Sequence, residues 1–326
     1  MKRAYVHGVD PTLAMQSFAK VSNRNAWTAS RLENSAALTE AIANTRLSEN
    51  LDERLVGNEL AKRYANSMNY HENSPLVDAL VNTSYVTHLG FSLGYYLQNM
   101  TQPWLVSLPV MAGRFGYRQT AKAIADATAD TVKMIKSTVK KDGLSMDLQL
   151  DYSMLPEDEQ VLLARMTDEG RIDITIRADM GVGQTTATHP LLNLVHSAAN
   201  LSSWPAQQVE VVNRVATALA AYRLSVSRDS TAEAAQAYAE KMVVQTHVDY
   251  TAENAARFMN PNALGGMGRA IWQFKRYQQA MIFLWVKSLQ DAMRHGKLAD
   301  NEAARSLIYL TASNFAIGGA AGIPTT

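Results

Sequence analysis

Proline placement constrains the fold of this chain most strongly, because most of its 9 prolines stand where an α-helix would begin. Proline fits the first turn of a helix and disrupts a helix interior. Asp10-Pro11 and Ser74-Pro75 each combine an N-cap residue with a proline in the first turn. Ser230 and Glu233 form a capping box directly before residues 234–242. These starting signals predict a succession of helices.

Apolar residues recur three or four positions apart, as they do on one face of a helix. Three such stripes are Val56, Leu60, Tyr64 and Met68; Ile124, Thr128, Val132, Ile135 and Val139; and Val209, Val212, Leu219, Tyr222 and Val226. The second stripe predicts a helix that runs through a lysine-rich last turn, Lys133–Lys141, and stops at Gly143.

The alternation that is typical of strands occurs only twice. Residues 145–152 are predicted to form a loop or a short edge pairing, and residues 171–177 a short strand or a helix start near Asp173. The sequence therefore predicts an all-α fold: an irregular multi-helix bundle with long helices and at most one or two short strands.

The glycine-rich stretch Gly181–Thr186 predicts a flexible loop that divides the chain into helical regions 1–180 and 181–326; one continuous domain is the alternative. The end at Thr326, just after the apolar segment Leu307–Ile323, is typical of a fragment of a longer chain.

Small residues in Leu307–Ile323 allow close approach either in a membrane or between packed helices. Leu76–Leu97 is long enough to cross a bilayer, but its polar residues favour a buried central helix.

Composition limits the classes of function that the chain can have. The net charge is +1, so no general basic excess is present and any contact with DNA is expected to be local. Cysteine is absent, which excludes disulfides, thiolate metal ligands and cysteine nucleophiles.

The sequence predicts no catalytic residue, no cofactor and no metal site. Glu210 is the acid most closely flanked by apolar residues, as a glycosidase acid would be, but it falls opposite the predicted core stripe and is expected to be solvated. His247 and Asp249 lie two apart at a helix end, where either catalysis or N-capping by Asp249 is possible. His189 and His196 lack the Glu-x-x-His arrangement of zinc hydrolases and are expected to be buried or capping histidines.

Aromatic and basic residues alternate between Arg269 and Lys287. This pattern fits either a platform for single-stranded nucleic acid or a helix with a buried apolar stripe, and the stripe is the favoured interpretation. Because residues 281–286 are apolar almost all round, that helix must be covered by this chain, by another copy or by lipid. The residues of this predicted packing or interface helix are Trp272, Phe274, Tyr277, Met281 and Leu284.

Several blocks occur in an order that resembles a known family. The first three are Asn99–Pro103, Leu108–Met111 and Gly113–Gly116, and the later ones are Ala218–Arg223, His247–Met259 and Phe274–Met281. Together they resemble the internal virion (ejection) proteins and large polyvalent proteins of tailed bacteriophages, some of which are named after a motif that ends in Arg-Phe-Gly.

The resemblance implies a non-enzymatic structural protein that oligomerises in the capsid core and takes part in genome ejection through the host envelope. It implies the virion interior as the location, followed by delivery into the host cell envelope. The implied partners are further copies of the chain, other internal virion proteins and the portal, with local contacts to phage DNA and to the host envelope membrane. A nucleic-acid-binding scaffold and a peptidoglycan-cleaving module remain the alternatives.

Gly113, Arg114, Phe115 and Gly116 are predicted to form an assembly motif without a catalytic role. Glycines on both sides predict a tight turn between the apolar stretch and a helix that begins near Arg118. Phe115 is expected to insert into the core or a neighbouring subunit, and Arg114 to cap helix carbonyls or to pair with an acid. An ordinary turn without contact between subunits is the alternative.

Overall fold

A computed structural model describes residues 39–68, 75–90, 92, 96, 99–136, 149–172, 190–247, 267–272, 275–294 and 301–318. Their secondary structure is almost entirely helical, which confirms the predicted all-α class. The chain forms two compact units, one ending at Asn69 and the other beginning at Tyr70. The expected boundary near residue 180, with the loop Gly181–Thr186, lies outside the described residues.

The described part of the first unit consists of α1 (residues 39–47) and α2 (Leu51–Met68). The side chain of Asn50 accepts a hydrogen bond from the Asp52 backbone N–H and so caps α2. A Cβ on Gly57 would lie 2.8 Å from the backbone nitrogen of Arg46, so glycine permits the two helices to approach closely. Val56 and Leu60, expected to face a core, are exposed, which corrects the prediction for the first stripe.

The described residues of the second unit form the remaining helices and a two-stranded sheet. The helices are α3 (Pro75–Tyr85), α4 (Leu108–Phe115), α5 (Tyr117–Met134), α6 (Glu157–Asp168), α7 (Pro190–Val226), α8 (Ala232–Thr246), α9 (Met267–Trp272), α10 (Arg276–Arg294) and α11 (Glu302–Gly318). Two π-helical segments, Val86–Gly90 and Pro103–Ser107, and a 3-10 turn, Tyr152–Met154, interrupt them. Strand β1 (Ile135–Lys136) pairs antiparallel with β2 (Gln149–Leu150). None of the helices in the described residues combines the length and apolarity that crossing a lipid bilayer requires.

Helix α7 is the centre of the second unit. It packs against α3, α5, α6 and α8, and every residue from 213 to 222 is buried. Alanines at positions 216, 218, 220 and 221 keep its surface narrow, so neighbouring helices approach from several sides. Pro205 lies inside α7 and is an exception to the expectation that prolines begin helices.

Helix α4 is almost completely buried between α5 and α11, and α11 in turn packs against α10. The α4–α11 crossing is close. A Cβ on Gly113 would lie 1.9 Å from Ser306 Oγ and 2.5 Å from the Glu302 carbonyl oxygen. Ser306 Oγ donates to the Val110 carbonyl, and Arg305 Nε donates to the Gly113 carbonyl, each at 2.8 Å. Hydrogen bonds as well as shape therefore hold this crossing.

Helix α5 ends earlier than predicted. Its last residue is Met134, and Ile135 begins β1, so the expected continuation into the lysine-rich turn is wrong at this point. The buried face also lies about one residue away from the predicted stripe, with Ile124 buried but Val132 exposed. The predicted edge pairing within residues 145–152 is confirmed at β2.

Two further details differ from the prediction. Thr231, not Ser230, is the N-cap of α8, because its side chain accepts the Ala234 N–H, whereas Ser230 Oγ accepts from Ser225 Oγ. The segment Leu76–Leu97 is not one α-helix, since α3 ends at Tyr85 and a π-helical turn follows. Helix α3 is also one-sided: Val77, Val81 and Tyr85 are buried and Leu80 is exposed.

Candidate functional site

A chain of buried polar side chains crosses the core where α7, α8 and the π-helical segment Pro103–Ser107 meet. The Glu210 carboxylate oxygen Oε1 accepts from Arg214 Nε at 2.8 Å and from His247 Nδ1 at 3.2 Å. His247 Nε2 lies 3.1 Å from Thr217 Oγ1. Thr217 Oγ1 donates to Ser107 Oγ at 3.1 Å. Ser107 Oγ is in turn 2.8 Å from Thr246 Oγ1 and connects all three elements.

Helix geometry brings the members of this buried polar cluster together. Glu210, Arg214 and Thr217 are four and then three residues apart, so they lie along one face of α7. His247 follows the last turn of α8 and remains attached to it, since its backbone N–H donates to the Val243 carbonyl. Ser107 ends a π-helical segment, a form of helix that is frequent at functional sites.

Arg214 sets the ionisation of the cluster. Burial would raise the pKa of Glu210, but the charge of Arg214, together with His247, outweighs burial and lowers this pKa to about 2. Burial lowers the pKa of His247 below its ordinary value, although the Glu210 carboxylate acts in the opposite direction. Arg214 Nη1 also donates to the Arg171 carbonyl at 3.0 Å. The ion pair is thus formed at neutral pH and held in place by the backbone.

The sequence-based interpretation of Glu210 as a solvated residue is wrong. It assumed that α7 lies at a surface with one buried face, whereas helices surround α7 on several sides. The signal for the buried pair was present in the sequence, because Arg214 stands four residues after Glu210. Sequence reasoning singled out neither Arg214 nor the three hydroxyl residues of the cluster, Ser107, Thr217 and Thr246.

The order acid, histidine, hydroxyl resembles the arrangement that activates a nucleophile in hydrolases. Here the Thr217 and Ser107 side chains are fully buried, so a substrate has no access to either hydroxyl in this conformation. A glycosidase acid must hold its proton near neutral pH through a raised pKa. The lowered pKa of Glu210 has the opposite sign. The geometry therefore fits a structural polar cluster better than a catalytic one.

A second polar network, around Arg223, joins three helices. Arg223 donates through Nε and Nη2 to the two carboxylate oxygens of Glu159 on α6, at 2.7 and 2.8 Å. Its Nη1 donates to Asp130 Oδ2 on α5 at 2.8 Å. Burial opposes ionisation of Asp130, but hydrogen bonds from Arg223 and Lys133 lower its pKa. Two-pronged pairing of this kind fixes orientation as well as charge.

The predicted assembly motif lies at the end of α4. Gly116 has φ +86° and forms the expected turn, and α5 begins at Tyr117, next to the predicted Arg118. Gly113, by contrast, lies within α4 at the crossing with α11 and takes no part in the turn. Phe115 is buried in the core of its own chain, edge-on to Tyr238 at 5.5 Å between ring centroids.

Arg114 contacts aromatic rings. Its guanidinium carbon lies 5.3 Å from the Phe115 ring centroid and 4.9 Å from that of Tyr238, within the range of cation–π attraction. The expected capping of helix carbonyls is supplied by Arg305, which donates to the Gly113 carbonyl. A contact of this motif with another subunit remains a prediction.

The predicted packing helix corresponds to α9 and α10. Met281 and Leu284 are buried on the inner face of α10, as the stripe predicts. Trp272 lies at the end of α9, where Nε1 donates to Gln279 Oε1 at 3.0 Å and Lys275 Nζ sits 5.3 Å from a Trp272 ring centroid. Phe274 lies outside the described residues, as does the side chain of Tyr277.

Other sequence candidates fall on parts of the chain that the structure does not describe. They are Asp249, His189 and the side chain of His196. Within the described parts of the chain, no group of three or more His, Asp or Glu side chains is arranged to hold a metal ion. Comparisons of the chain with protein-family models, with curated proteins and with solved structures find no match.

Proposed function

We propose that this chain is a structural internal virion protein of a tailed bacteriophage. In this proposal it oligomerises in the capsid core, with other internal virion proteins and the portal as partners. It leaves with the genome and takes part in ejection through the host envelope. The basis is the order of the sequence blocks that resemble the ejection proteins, together with the all-helical fold.

One structural observation supports the proposal: residues of these blocks bind segments of the second unit that lie far away in the sequence. Gln102, from the first block, donates to the carbonyl of Thr246, which directly precedes the block that begins at His247. Arg223, from the Ala218–Arg223 block, joins α5, α6 and α7. These side chains each donate hydrogen bonds to another element of the fold. Their contacts suit a segment whose task is to hold helices together.

The alternative functions make different physical demands. A nucleic-acid-binding scaffold needs free cations, and Lys133, the one lysine of the Lys133–Lys141 cluster whose side chain the structure describes, pairs with Asp130 at 3.2 Å. A peptidoglycan-cleaving module needs a protonated acid near neutral pH, and the pKa of Glu210 is lowered. The pairing of Lys133 therefore does not favour the scaffold, and the lowered pKa of Glu210 does not favour the peptidoglycan-cleaving module.

Three assays on the full chain separate these functions. We expect rings, tubes or other defined oligomers in negative-stain images, as assembly requires. DNA retention that falls steeply with salt would favour the scaffold. Turnover of purified peptidoglycan would overturn the structural assignment.

A further inference from the structure

Helix α10 carries a second apolar face that is exposed among the described residues of the chain. The inner face, with Met281, Leu284 and Ser288, is buried. On the opposite side, Phe283 is 62% exposed and Met293 77% exposed. We call this the outer seam, and its residues are Ile282, Phe283, Val286, Leu289 and Met293. Exposed apolar residues scattered singly need no explanation, but a contiguous row along one helix marks an interaction site.

We propose that the outer seam of α10 is a self-association surface that receives α10 of a second copy of this chain, in antiparallel orientation. Residues 282, 286, 289 and 293 are spaced four, three and four apart, as in a coiled-coil seam. This spacing reads the same in both directions. Two copies related by a twofold axis therefore place Ile282 opposite Met293 and Val286 opposite Leu289.

The charges around the seam favour a protein partner over a lipid surface. The row of residues 282, 286, 289 and 293 is bordered by Phe283, itself a seam residue, and by Trp285, Gln290 and Ala292, and none of these four is charged. Two copies can therefore approach without opposing like charges. A helix that lies on an anionic membrane instead carries Lys and Arg beside its apolar face.

The exposed area is sufficient for a small twofold interface. The five seam residues are between 38% and 77% exposed. Aromatic side chains bury roughly 150–250 Å² each and aliphatic ones somewhat less, so the seam offers on the order of 500 Å². Burial of that area on both copies removes about 1,000 Å² from water, which is near the lower limit for a specific interface. The proposal deepens the proposed function and rests on its oligomeric part, because it names the surface through which copies meet.

The test is sedimentation of the full-length chain at a series of concentrations. Val286→Glu places a charge in the seam, and Val161→Glu on α6 is the matched control, since the two valines are 45% and 53% exposed. We expect the wild type to self-associate reversibly, Val286→Glu to weaken this association at least tenfold, and Val161→Glu to leave it unchanged. Wild-type behaviour of Val286→Glu would overturn the proposal, as would a wild-type chain that stays monomeric up to about 100 µM.

A cross-link tests the same surface without the added charge. Because the chain has no native cysteine, the double variant Val286→Cys, Leu289→Cys gives an unambiguous signal. Mild oxidation should produce a covalent dimer on a non-reducing gel, and Val161→Cys should produce far less. Absence of the dimer would overturn the antiparallel pairing.

Two outcomes separate this inference from the proposed function. If wild type and Val286→Glu form the same oligomer, the seam is wrong while the proposed function stands. If the wild type is monomeric and floats with phosphatidylglycerol vesicles, and Val286→Glu does not float, the seam binds lipid and the pairing of copies is overturned. Location of the chain in phage particles is measured independently and decides the proposed function.

Discussion

Helices α7 and α10 contrast in what they bury and what they expose. Helix α7 buries the charged pair Glu210 and Arg214, whereas α10 exposes Phe283 and Met293. The number of neighbouring elements explains the difference. Helix α7 packs against four helices, while α10 packs mainly against α11. Burial in this fold therefore depends on what surrounds a helix, and charged residues are buried where partners lie within hydrogen-bond distance.

The largest expected effect comes from breaking the ion pair on α7. Arg214→Met should lower the free energy of unfolding by about 3–5 kcal/mol, because it leaves the Glu210 carboxylate buried without its main partner. Lys287→Met on exposed α10 is the control and should change stability by less than about 0.5 kcal/mol. Denaturant unfolding measures both. Similar small effects would mean that the contrast between the helices does not exist in solution.

Acid should weaken α7 through the same cluster. The folded-state pKa of Glu210, about 2, lies below its ordinary value of 4.5. The stability from its ionisation is therefore complete above pH 4.5 and is lost as the pH falls toward 2, by roughly 3 kcal/mol in total. The lowered pKa of His247 adds a loss in the same direction below its ordinary value of 6.5. Unfolding measured from pH 7.5 downward should show this decline, and Glu210→Gln should flatten its lower part.

Substitutions at the α4–α11 crossing test whether α10 and α11 unfold independently of α7. Gly113→Ala should cost about 2 kcal/mol, because its Cβ meets the Glu302 carbonyl. Gly116→Ala meets no atom but is strained at positive φ, and should cost about 1 kcal/mol. Hydrogen exchange in Gly113→Ala should rise first in α11 and α10. A uniform rise that includes α7 would show that the two regions unfold together.

The smallest effect is expected at the outer seam. Phe283→Gln should change the unfolding free energy of the monomer by less than about 0.5 kcal/mol, because the ring is largely exposed. Leu284→Gln, the adjacent buried position, is the matched comparison and should be strongly destabilising. Thermal unfolding of both variants at low protein concentration makes the comparison. Equal losses would mean that the seam is buried within the chain.

Sequence reasoning predicted the helical class and the inner face of α10, since both follow from local spacing of apolar residues. It missed the end of α5 because Ile135 continues the apolar stripe, while pairing with β2 is a contact distant in sequence. It missed the burial of Glu210 for a related reason: periodicity locates one face of a helix but gives no count of its neighbours. The cap of α8 was off by one residue because Ser230 and Thr231 are chemically equivalent caps.

The central claim, that the chain is an internal structural protein of a phage particle, is tested most directly in purified particles. The measurement compares the amount of the chain, by quantitative mass spectrometry, in protease-treated particles before and after genome release. We predict that the full chain is protected in DNA-filled particles and is depleted from emptied ones. Absence from filled particles, or equal amounts in filled and emptied ones, would contradict the account.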